Sequence, residues 1–504
     1  MNMKTSRTKS AVLNMVFNFM YQLINTVVNI IIPPLIITKY GSVINGLIST
    51  IKQILGYIQL VGAGISESTV VSLYKPLAEE DNKKVSAIFN ACSVTFFRMG
   101  IVFNTLSVAV AFIYPLLISE KLDYLFLVSL ILVLSIAGAS EFYVIGKCRA
   151  LLIADQKIYI VNVAQICGAL ANLFVTIVLI GLNSNILIIQ AGASVVYAMR
   201  IIIVYSYVKK HYVFLRKDEV PDFQAIDKRK AATVHQLSGL ISFGSQTVFV
   251  SLFCGLAEAS VYSVYNLVFT GINTILSTIS SALLATFGSI AANDSKEKLR
   301  KMFSVYESFY YLLVFILYSI TYIMFLSFVA LYTEGTTDAV YVRMDFAILF
   351  CVMGIVNCLR TPGATLINAV GHYDETKNRA LIEMAICFLL ECILVYRFKA
   401  VGVLVATIVA YAYRTIDVLF YSNYRILNQS AKSTFKKVLL NVFICSLIFV
   451  GGSKLNIIAD NYLTWIVKAA IVGIVMMIIY CLINLGVSKE EYSVIYRKFI
   501  KRSV

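Results

Sequence analysis

The sequence predicts an all-α polytopic membrane protein with about fourteen transmembrane helices, arranged as two six-helix repeats and two further C-terminal helices, with both termini cytoplasmic. The composition, the length of the apolar segments and the placement of the basic residues lead to this prediction. Of the 504 residues, 59% are hydrophobic and only 14% are charged, whereas soluble chains carry roughly 25% charged residues. The lipid bilayer is therefore the solvent for most of this chain.

Apolar segments of about 20 residues or more, long enough to cross roughly 30 Å of hydrocarbon, recur with short polar interruptions. The first follows Lys4, Arg7 and Lys9 without a small-residue cleavage site behind it, so we expect a retained helix rather than a signal peptide. The predicted spans are residues 11–37, 43–73, 85–114, 124–146, 159–182, 186–208, 236–256, 260–291, 302–332, 344–370, 380–397, 402–424, 438–457 and 464–486.

The basic residues lie mostly in alternate loops. Of the 43 Lys and Arg residues, 31 fall in eight segments that include both termini, and only 5 fall in the intervening loops. By the positive-inside rule, this asymmetry places both termini in the cytoplasm and requires an even number of spans. The net charge of +16 is therefore explained by topology and lipid headgroups, and we expect no nucleic-acid partner.

The longest hydrophilic stretch, Lys209–Lys230, separates two halves that are related in sequence. Residues 81–84, after span 2, parallel residues 294–297, after span 8, at an offset of 213 residues. Six spans in each half predict parallel repeats related by an axis along the membrane normal. The predicted domains are an N-terminal lobe at 1–208, a cytoplasmic linker at 209–235, a C-terminal lobe at 236–430, and two additional helices with a basic cytoplasmic tail at 431–504.

Four spans carry polar residues spaced so that they share one helical face, which is costly in hydrocarbon unless the face lines a wet cavity. The alternative is that these residues make hydrogen bonds between packed helices. Their symmetric positions in the two halves favour a polar cavity. The stripes are Asn14, Asn18, Gln22, Asn25 and Asn29 in span 1; Asn45, Ser49, Lys52, Gln53, Gly56, Gln59, Ala63 and Glu67 in span 2; Ser238, Ser242, Ser245 and Gln246 in span 7; and Tyr262, Asn266, Thr270, Asn273, Ser277 and Ser280 in span 8.

Several charged residues are predicted to lie deep in the membrane. Lys52 is roughly 13 Å from the outer end of span 2 at 1.5 Å per residue, too deep to snorkel, so it needs a partner or an aqueous cavity. Arg98 and Arg360 lie comparably deep, and each either binds phosphate oxygens or pairs internally. A desolvated carboxylate can exchange a proton or a sodium ion. The ion-coupling candidates are Glu67, Glu307, Glu383 and Glu391.

Several other site chemistries are not predicted. The ten cysteines form no C-x-x-C pair and the three histidines lie far apart in sequence, so we expect neither disulfides nor a metal site. No G-x-x-x-x-G-K-[ST] motif occurs, so the chain does not use a P-loop to hydrolyse ATP. We predict no catalytic residue and no cofactor.

The topology and four short motifs carry a resemblance to a known family. The motifs are residues 29–33, Gly41 with 45–47, residues 62–65, and residues 152–157. Over residues 10–430 the chain resembles the multidrug/oligosaccharidyl-lipid/polysaccharide exporter (MOP) superfamily. Within that superfamily it is most similar to the flippases of polysaccharide repeat units, which serve O-antigen, capsule and exopolysaccharide synthesis.

This resemblance implies a non-enzymatic carrier that moves an undecaprenyl-pyrophosphate-linked oligosaccharide from the cytoplasmic to the outer face of a bacterial inner membrane by alternating access. It also implies contact with membrane lipids and with polysaccharide polymerase and chain-length machinery. Flippases of lipid-linked peptidoglycan precursors line their cavity with several arginines, whereas spans 1, 2, 7 and 8 offer chiefly Lys52, which implies a different headgroup. The expected substrate-binding residues are Asn18, Gln22, Asn25, Asn29, Ser49, Lys52, Gln53, Gln59, Gln246, Tyr262, Asn266, Asn273, Arg98 and Arg360.

Two alternative functions remain at this point. One is a small-molecule or drug exporter of the same superfamily, although span 1 carries no carboxylate to couple an ion. The other is a membrane-embedded polysaccharide polymerase or glycosyltransferase. Such enzymes usually need a sizeable extracytoplasmic loop, and the longest predicted here is Thr333–Arg343.

Overall fold

The computed structural model describes residues 2–62, 64–118, 120–226, 245–293, 295–452, 457 and 459–487. Every regular element in these ranges is helical. Eleven of the described helices are long and apolar enough to cross a membrane. The prediction of an all-α polytopic membrane protein is therefore confirmed.

The number of spans stays a prediction, because two long helices each contain one predicted span and part of the next. The first, α1 (Asn2–Gln59), departs from helical geometry at Gly41, whose φ of 86° and ψ of 167° suit glycine. The other, α15 (Tyr373–Phe420), is interrupted at Lys399, with φ 52° and ψ −137°. Residues 236–244 of predicted span 7 lie outside the described residues, and the helix that follows them is Ser245–Cys254.

The chain order of the helices follows the predicted spans. They are α1 (Asn2–Gln59), α2 (Ile65–Ala78), α3 (Asn82–Ile113), α4 (Tyr124–Ser140), α5 (Gly146–Ala154), α6 (Tyr159–Gly181), α7 (Ile186–Ala198), α8 (Arg200–His211), α9 (Phe223–Ile226), α10 (Ser245–Cys254), α11 (Leu256–Asn293), α12 (Lys296–Tyr332), α13 (Met344–Leu359), α14 (Thr361–Val370), α15 (Tyr373–Phe420), α16 (Lys432–Gly452) and α17 (Tyr462–Val487).

Several helices begin at a side chain that accepts a hydrogen bond from the first turn. The Asp81 carboxylate accepts from the Lys84 amide at 3.0 Å to start α3, and Asp123 accepts from the Phe126 amide at 2.8 Å to start α4. Asn185 does the same for α7. Asp and Asn are favoured at this position because they satisfy backbone donors that the helix itself leaves unpaired.

The chain divides into two compact units, Met1–Ser260 and Val261–Val504. The first turn of α11 belongs to the first unit because it packs closely on α1. The Asn45 amide donates to the Ser260 hydroxyl at 2.7 Å, and a Cβ at Gly46 would lie 1.8 Å from the Leu256 carbonyl oxygen. The predicted lobe boundaries at 208 and 236 stay predictions.

In the first unit, the part of α1 before Gly41 makes hydrogen bonds to neighbouring segments near both of its ends. The Asn14 amide donates to the Gln156 carbonyl oxygen at 2.9 Å and its oxygen accepts from the Tyr159 amide at 3.0 Å, which caps α6. Near Gly41, Lys39 donates to Asn183, and Tyr40 donates to the Ser184 carbonyl oxygen at 2.6 Å. The middle of this half of α1 is therefore held in a fixed position against α6.

In the second unit, α16 and α17 pack on α12 through buried polar contacts. The Lys437 ammonium lies 3.2 Å from a Glu307 oxygen, and the other Glu307 oxygen accepts from the Thr434 hydroxyl at 2.8 Å. Asn441 and Asn484 join α16 to α17 by reciprocal amide hydrogen bonds of 3.2 and 3.0 Å. These contacts anchor the two additional helices.

Candidate functional site

A polar cavity of about 630 Å³ lies inside the first unit, among α1, α2, α3, α4, α5, α6, α7 and α8. This volume is within the usual range for small-molecule sites. Its apolar wall comes mainly from Val28, Ile32, Leu55, Phe96, Leu134 and Phe142. The polar and charged residues of the wall are Asn25, Asn29, Lys52, Gln59, Ser66, Glu141, Arg149, Gln165, Asn172, Thr176, Gln190, Ser194, Tyr197 and Arg200.

A π-helical turn at Glu141–Ile145 joins α4 to α5 and forms one side of the cavity. Such turns insert one extra residue into a helix and often occur at functional sites. Phe142 anchors this one, with its ring centroid 5.2 Å from that of Phe103. A Cβ at Gly62 would lie 2.6 Å from the Phe142 ring, so a glycine is required where the chain passes it.

The charged centre of the cavity is formed by Glu141, Arg149 and Arg200. A terminal nitrogen of Arg149 lies 2.9 Å from one Glu141 oxygen, and a terminal nitrogen of Arg200 lies 3.6 Å from the other. Arg200 also donates to the Ser140 hydroxyl at 3.3 Å, and its guanidinium lies 4.0 Å from the centroid of the Tyr197 ring. The carboxylate thus bridges two arginines that come from different helices.

One N–H donor of the Arg200 guanidinium is buried without a hydrogen-bond acceptor among the described residues. Its side chain is only 7% exposed, yet its Nε has no hydrogen-bond partner in the described part of the chain. An unsatisfied buried donor on a charged group is costly. The orphaned Nε on a cavity wall therefore points to a ligand with acceptor oxygens.

Lys52 adds a third cation to the same wall. No carboxylate among the described residues forms an ion pair with it, and its side chain is exposed to the cavity rather than packed in the core. The described wall residues thus carry three cations, Lys52, Arg149 and Arg200, and one carboxylate. Such a cavity attracts anions.

Five amide side chains line the same cavity. They have no hydrogen-bond partner among the described residues, although they line the cavity. Each amide offers two donors and an acceptor, which suits a ligand rich in hydroxyl groups. The amides are Asn25, Asn29, Gln59, Gln165 and Gln190.

Of the residues predicted from the first two spans, Asn25, Asn29, Lys52 and Gln59 are brought together on the cavity wall. The other four, Asn18, Gln22, Ser49 and Gln53, lie on α1 outside that wall. Glu67 is exposed in the first turn of α2. Arg98 is also exposed and lies over the Phe223 ring of α9, 5.7 Å from its centroid.

The predicted residues of spans 7 and 8 have packing contacts. Gln246 of α10 is buried in the first unit, whereas Ser238 and Ser242 lie outside the described residues. In the second unit, Asn273 accepts hydrogen bonds from the Asn357 amide at 3.0 Å and the Cys358 thiol at 3.3 Å. The buried Tyr262 ring packs on Phe350 with centroids 5.0 Å apart, and Asn266 is half-buried. The contacts of Asn273 match the alternative of interhelical hydrogen bonding.

A network of ion pairs fills part of the second unit. Arg360 lies 2.5 Å from a Glu383 oxygen and donates to the Asn357 amide oxygen at 2.8 Å. Arg414 lies 3.8 Å from the other Glu383 oxygen and 2.7 Å from Asp417. Arg360 thus pairs internally, as the sequence analysis allowed, and Glu383 is shared between two arginines.

Two further candidates for ion coupling are buried in the second unit. Glu307 forms the ion pair with Lys437 described above. Glu391, which is fully buried in α15, accepts hydrogen bonds from the Cys387 thiol at 3.3 Å and the Thr407 hydroxyl at 3.4 Å. Their role in coupling stays a prediction.

Sequence reasoning missed half of the cavity, although the signal was present. Arg200 is the only charged residue between positions 158 and 208, and a lone charge in an apolar span indicates a functional site. Gln165, Asn172 and Thr176 repeat at spacings of seven and four residues, which keeps them on one face of α6. Arg149 lies beyond residue 146, where predicted span 4 ends, whereas helix α5 continues to Ala154.

Comparisons with known proteins give a fold but no close relative. No family model and no curated protein matches the chain. An inward-facing multidrug resistance MATE family transporter of the MOP superfamily matches 87% of this chain and 98% of its own, with TM-score 0.61 and 11% identity. The lipid II flippase MurJ in its inward closed conformation matches 97% of this chain and 100% of its own, with TM-score 0.57 and 14% identity.

A third solved structure illustrates how the fold varies in function. It is a MOP superfamily transporter from Pyrococcus furiosus, described as having a binding pocket of reverse polarity that suggests a different function. It matches 84% of this chain and 95% of its own, with TM-score 0.54 and 12% identity. The chain therefore has the fold shared by MATE transporters and the MurJ flippase of the MOP superfamily.

Proposed function

We propose that the protein is a flippase that carries undecaprenyl-pyrophosphate-linked oligosaccharide repeat units from the cytoplasmic to the outer face of a bacterial inner membrane. The observation that carries this proposal is the cavity of the first unit, which holds three cations together with five amides that have no hydrogen-bond partner among the described residues. Cell-surface polysaccharide synthesis is the process served. The fold shared with solved transporters supports a carrier over an enzyme.

The cations of the cavity suit a pyrophosphate. Arg149 and Arg200 offer planar guanidinium groups whose N–H donors match pairs of phosphate oxygens. Lys52 offers a compact charge on the wall of the same cavity. A pyrophosphate diester places two negative charges close together, which three cations and one carboxylate can balance.

The amides of the cavity suit a sugar. Hydroxyl groups need both donors and acceptors, and Asn25, Asn29, Gln59, Gln165 and Gln190 supply both. Apolar residues such as Phe96 and Phe142 on the same wall can pack against the less polar faces of sugar rings. The cavity thus provides the two kinds of contact that a phosphate-linked oligosaccharide needs.

Transport of the lipid-linked cargo rests on alternating access of two six-helix lobes, with Glu67, Glu307, Glu383 and Glu391 as candidates for ion coupling. Of the solved structures with this fold, the MurJ flippase is described by its lipid-linked cargo, lipid II. Its likeness supports a lipid-linked substrate for this chain as well. Partnership with a polysaccharide polymerase and chain-length machinery belongs to the same proposal.

Replacing Lys52 by Ala tests the proposal in cells. Removing one charge-assisted contact, worth about 1.5–3 kcal/mol, should lower surface polysaccharide by roughly tenfold or more. Lys121→Ala is the matched control, because Lys121 is exposed in the loop before α4 and is not on the cavity wall. Undiminished surface polymer in Lys52→Ala, at normal protein level in the membrane, would contradict the proposal.

A small-molecule exporter is the second candidate, supported by the fold shared with a multidrug transporter. The excess of cations on the cavity wall favours anionic over cationic cargo. Drug accumulation in a deletion strain separates the two functions. Altered drug resistance with intact surface glycan would favour export.

A further inference from the structure

Glu141 is the one carboxylate on the described wall of the cavity, and it occupies the two arginines that the proposed cargo would need. One of its oxygens lies 2.9 Å from Arg149 and the other lies 3.6 Å from Arg200. It belongs to the π-helical turn, whose position is fixed by the packing of Phe142. The backbone that carries the Glu141 carboxylate is therefore part of a packed helical turn and not of a loop.

The two contacts differ in strength. The distance to Arg149 is that of a charge-assisted hydrogen bond, whereas the distance to Arg200 exceeds hydrogen-bond range. Arg200 also keeps an Nε without a partner in the described part of the chain. Glu141 thus offsets one of the two positive charges of these arginines while leaving the donors of Arg200 incompletely used.

The partial neutralisation of the arginines by Glu141 affects which lipid headgroups the cavity binds. Arginines without a counter-ion in a cavity would bind any phosphate, including the phosphodiester headgroups of abundant anionic phospholipids. A ligand must displace the Glu141 carboxylate to reach the arginines. Every competing headgroup therefore has to overcome the free energy of the contacts between Glu141 and the arginines. A headgroup with one negative charge gains less from the three cations than a pyrophosphate with two, so it overcomes that cost less readily.

We propose that Glu141 is the specificity-determining residue of this cavity: it is an internal counter-ion that a pyrophosphate diester displaces from Arg149 and Arg200 and that a phosphodiester does not. The inference rests on the proposed function, since it concerns the same cargo. It adds that selectivity for pyrophosphate comes from a competing acid and not from the cations alone.

The test compares two ligands on the purified full-length protein in detergent. The first is a synthetic citronellyl-pyrophosphate-linked N-acetylglucosamine, and the second is dioctanoyl phosphatidylglycerol. We expect wild type to bind the pyrophosphate ligand at least about tenfold more tightly. In Glu141→Gln, both ligands should bind more tightly, but phosphatidylglycerol should gain more, so that the ratio falls below about threefold.

A second variant keeps the test independent of the net charge of the cavity. Glu141→Gln with Arg149→Gln removes both partners of the closer ion pair and leaves the net charge of the cavity unchanged, and Arg200 lacks its counter-ion in both variants. Because the counter-ion is gone, the ratio should fall as in the single variant. A ratio that stays at the wild-type value in either variant would overturn the role of Glu141.

The wild-type measurement separates this inference from the proposed function. Saturable binding of the pyrophosphate ligand that Lys52→Ala weakens supports the proposed function, whatever Glu141 does. If that binding occurs and the ratio does not respond to Glu141, only the selectivity role is lost. If wild type does not bind the pyrophosphate ligand, both proposals fail.

Discussion

At the scale of single residues, the cavity combines two cations of different chemistry. Lys52 brings a compact charge without an ion-pair partner among the described residues. Arg200 brings a planar group stacked 4.0 Å from the Tyr197 ring centroid. Stacking and the fork of N–H donors are properties of arginine that lysine does not share. The two positions should therefore respond differently to substitution.

Exchange of the two basic side chains tests this difference. Arg200→Lys keeps the charge but loses the stacking on Tyr197 and the planar fork of N–H donors. The transport rate should therefore fall by about tenfold, which corresponds to ~1.4 kcal/mol of lost interaction free energy. Lys52→Arg keeps the positive charge at a position where no aromatic stacking is required, so most of the transport rate should be retained. The measurement is the rate of lipid-linked sugar transport by each variant at equal protein level. Equal rates for Arg200→Lys and wild type would contradict the role given to the guanidinium.

The periodicity of single residues also explains which part of the cavity could be predicted. Asn25 and Asn29 share a face of α1 before the break at Gly41, and Lys52 and Gln59 share a face after it. A helix places the members of each pair side by side whatever it packs against. Glu141 and Arg200 come from elements that are far apart in sequence, and their contact depends on how α8 packs against the π-helical turn. No spacing rule joins two such positions, so the charged centre became visible only in the folded chain.

At the scale of elements, close backbone contacts determine which glycines are required. A Cβ at Gly46 of α1 would lie 1.8 Å from the Leu256 carbonyl oxygen at the start of α11, whereas a Cβ at Gly56 of the same helix would meet nothing within 4 Å. Gly46 and Gly56 both lie in the helical part of α1 that follows the break at Gly41. The helix thus contains a required glycine and a tolerant one.

Alanine substitutions at these two glycines form a matched pair. Gly46→Ala forces the first turn of α11 away from α1 and should lower the melting temperature by several degrees, as overpacking costs typically 1–3 kcal/mol. Gly56→Ala should leave stability unchanged or raise it by up to about 1 kcal/mol, because alanine favours helix. Thermal unfolding of the purified proteins in detergent measures both. Equal melting temperatures would refute the close contact at Gly46.

The anchoring of α16 to α12 makes a second prediction for elements. Lys437→Met leaves the Glu307 carboxylate, which is 2% exposed, without its cation, and should cost about 3–5 kcal/mol. Lys437→Met combined with Glu307→Gln removes both charges and should recover most of that loss. Chemical or thermal unfolding of the single and double variants gives the comparison. A double variant no more stable than the single one would show that the ion pair is not the cause.

Element boundaries show where sequence reasoning reached its limit. Short breaks inside long helices, at Gly41 and Lys399, separate pairs of predicted spans that the structure joins as α1 and α15. Hydropathy detects the apolar segments on either side, because each is long enough to span the bilayer. It does not detect whether the connection between them is a loop or a single residue with positive φ.

At the scale of the whole molecule, composition and the length of the apolar segments were sufficient to predict an all-α polytopic membrane protein. A chain with 14% charged residues and long apolar segments has few soluble alternatives, and the eleven apolar helices confirm the polytopic architecture. The fold shared with MATE transporters and MurJ was also anticipated from the arrangement of spans. Cargo depends on a few side chains in a cavity, which fold class does not specify.

The predicted orientation in the membrane can be tested with cysteine labelling in a cysteine-free background. Lys121 lies in a loop predicted to be outside, and Lys217 lies in a basic segment predicted to be cytoplasmic; both are exposed. A membrane-impermeant maleimide added to intact spheroplasts should label Lys121→Cys and not Lys217→Cys. The reverse pattern would invert the orientation and the proposed direction of transport.

The most direct test of the central claim is transport by the reconstituted protein. Proteoliposomes would carry a fluorescent undecaprenyl-pyrophosphate-linked oligosaccharide, and its appearance in the opposite leaflet would be followed with a membrane-impermeant quencher. Wild type should move the lipid faster than empty liposomes, and Lys52→Ala combined with Arg200→Gln should reduce the rate to that of empty liposomes. Equal rates for wild type and this double variant would contradict the assignment of the cavity as the cargo site.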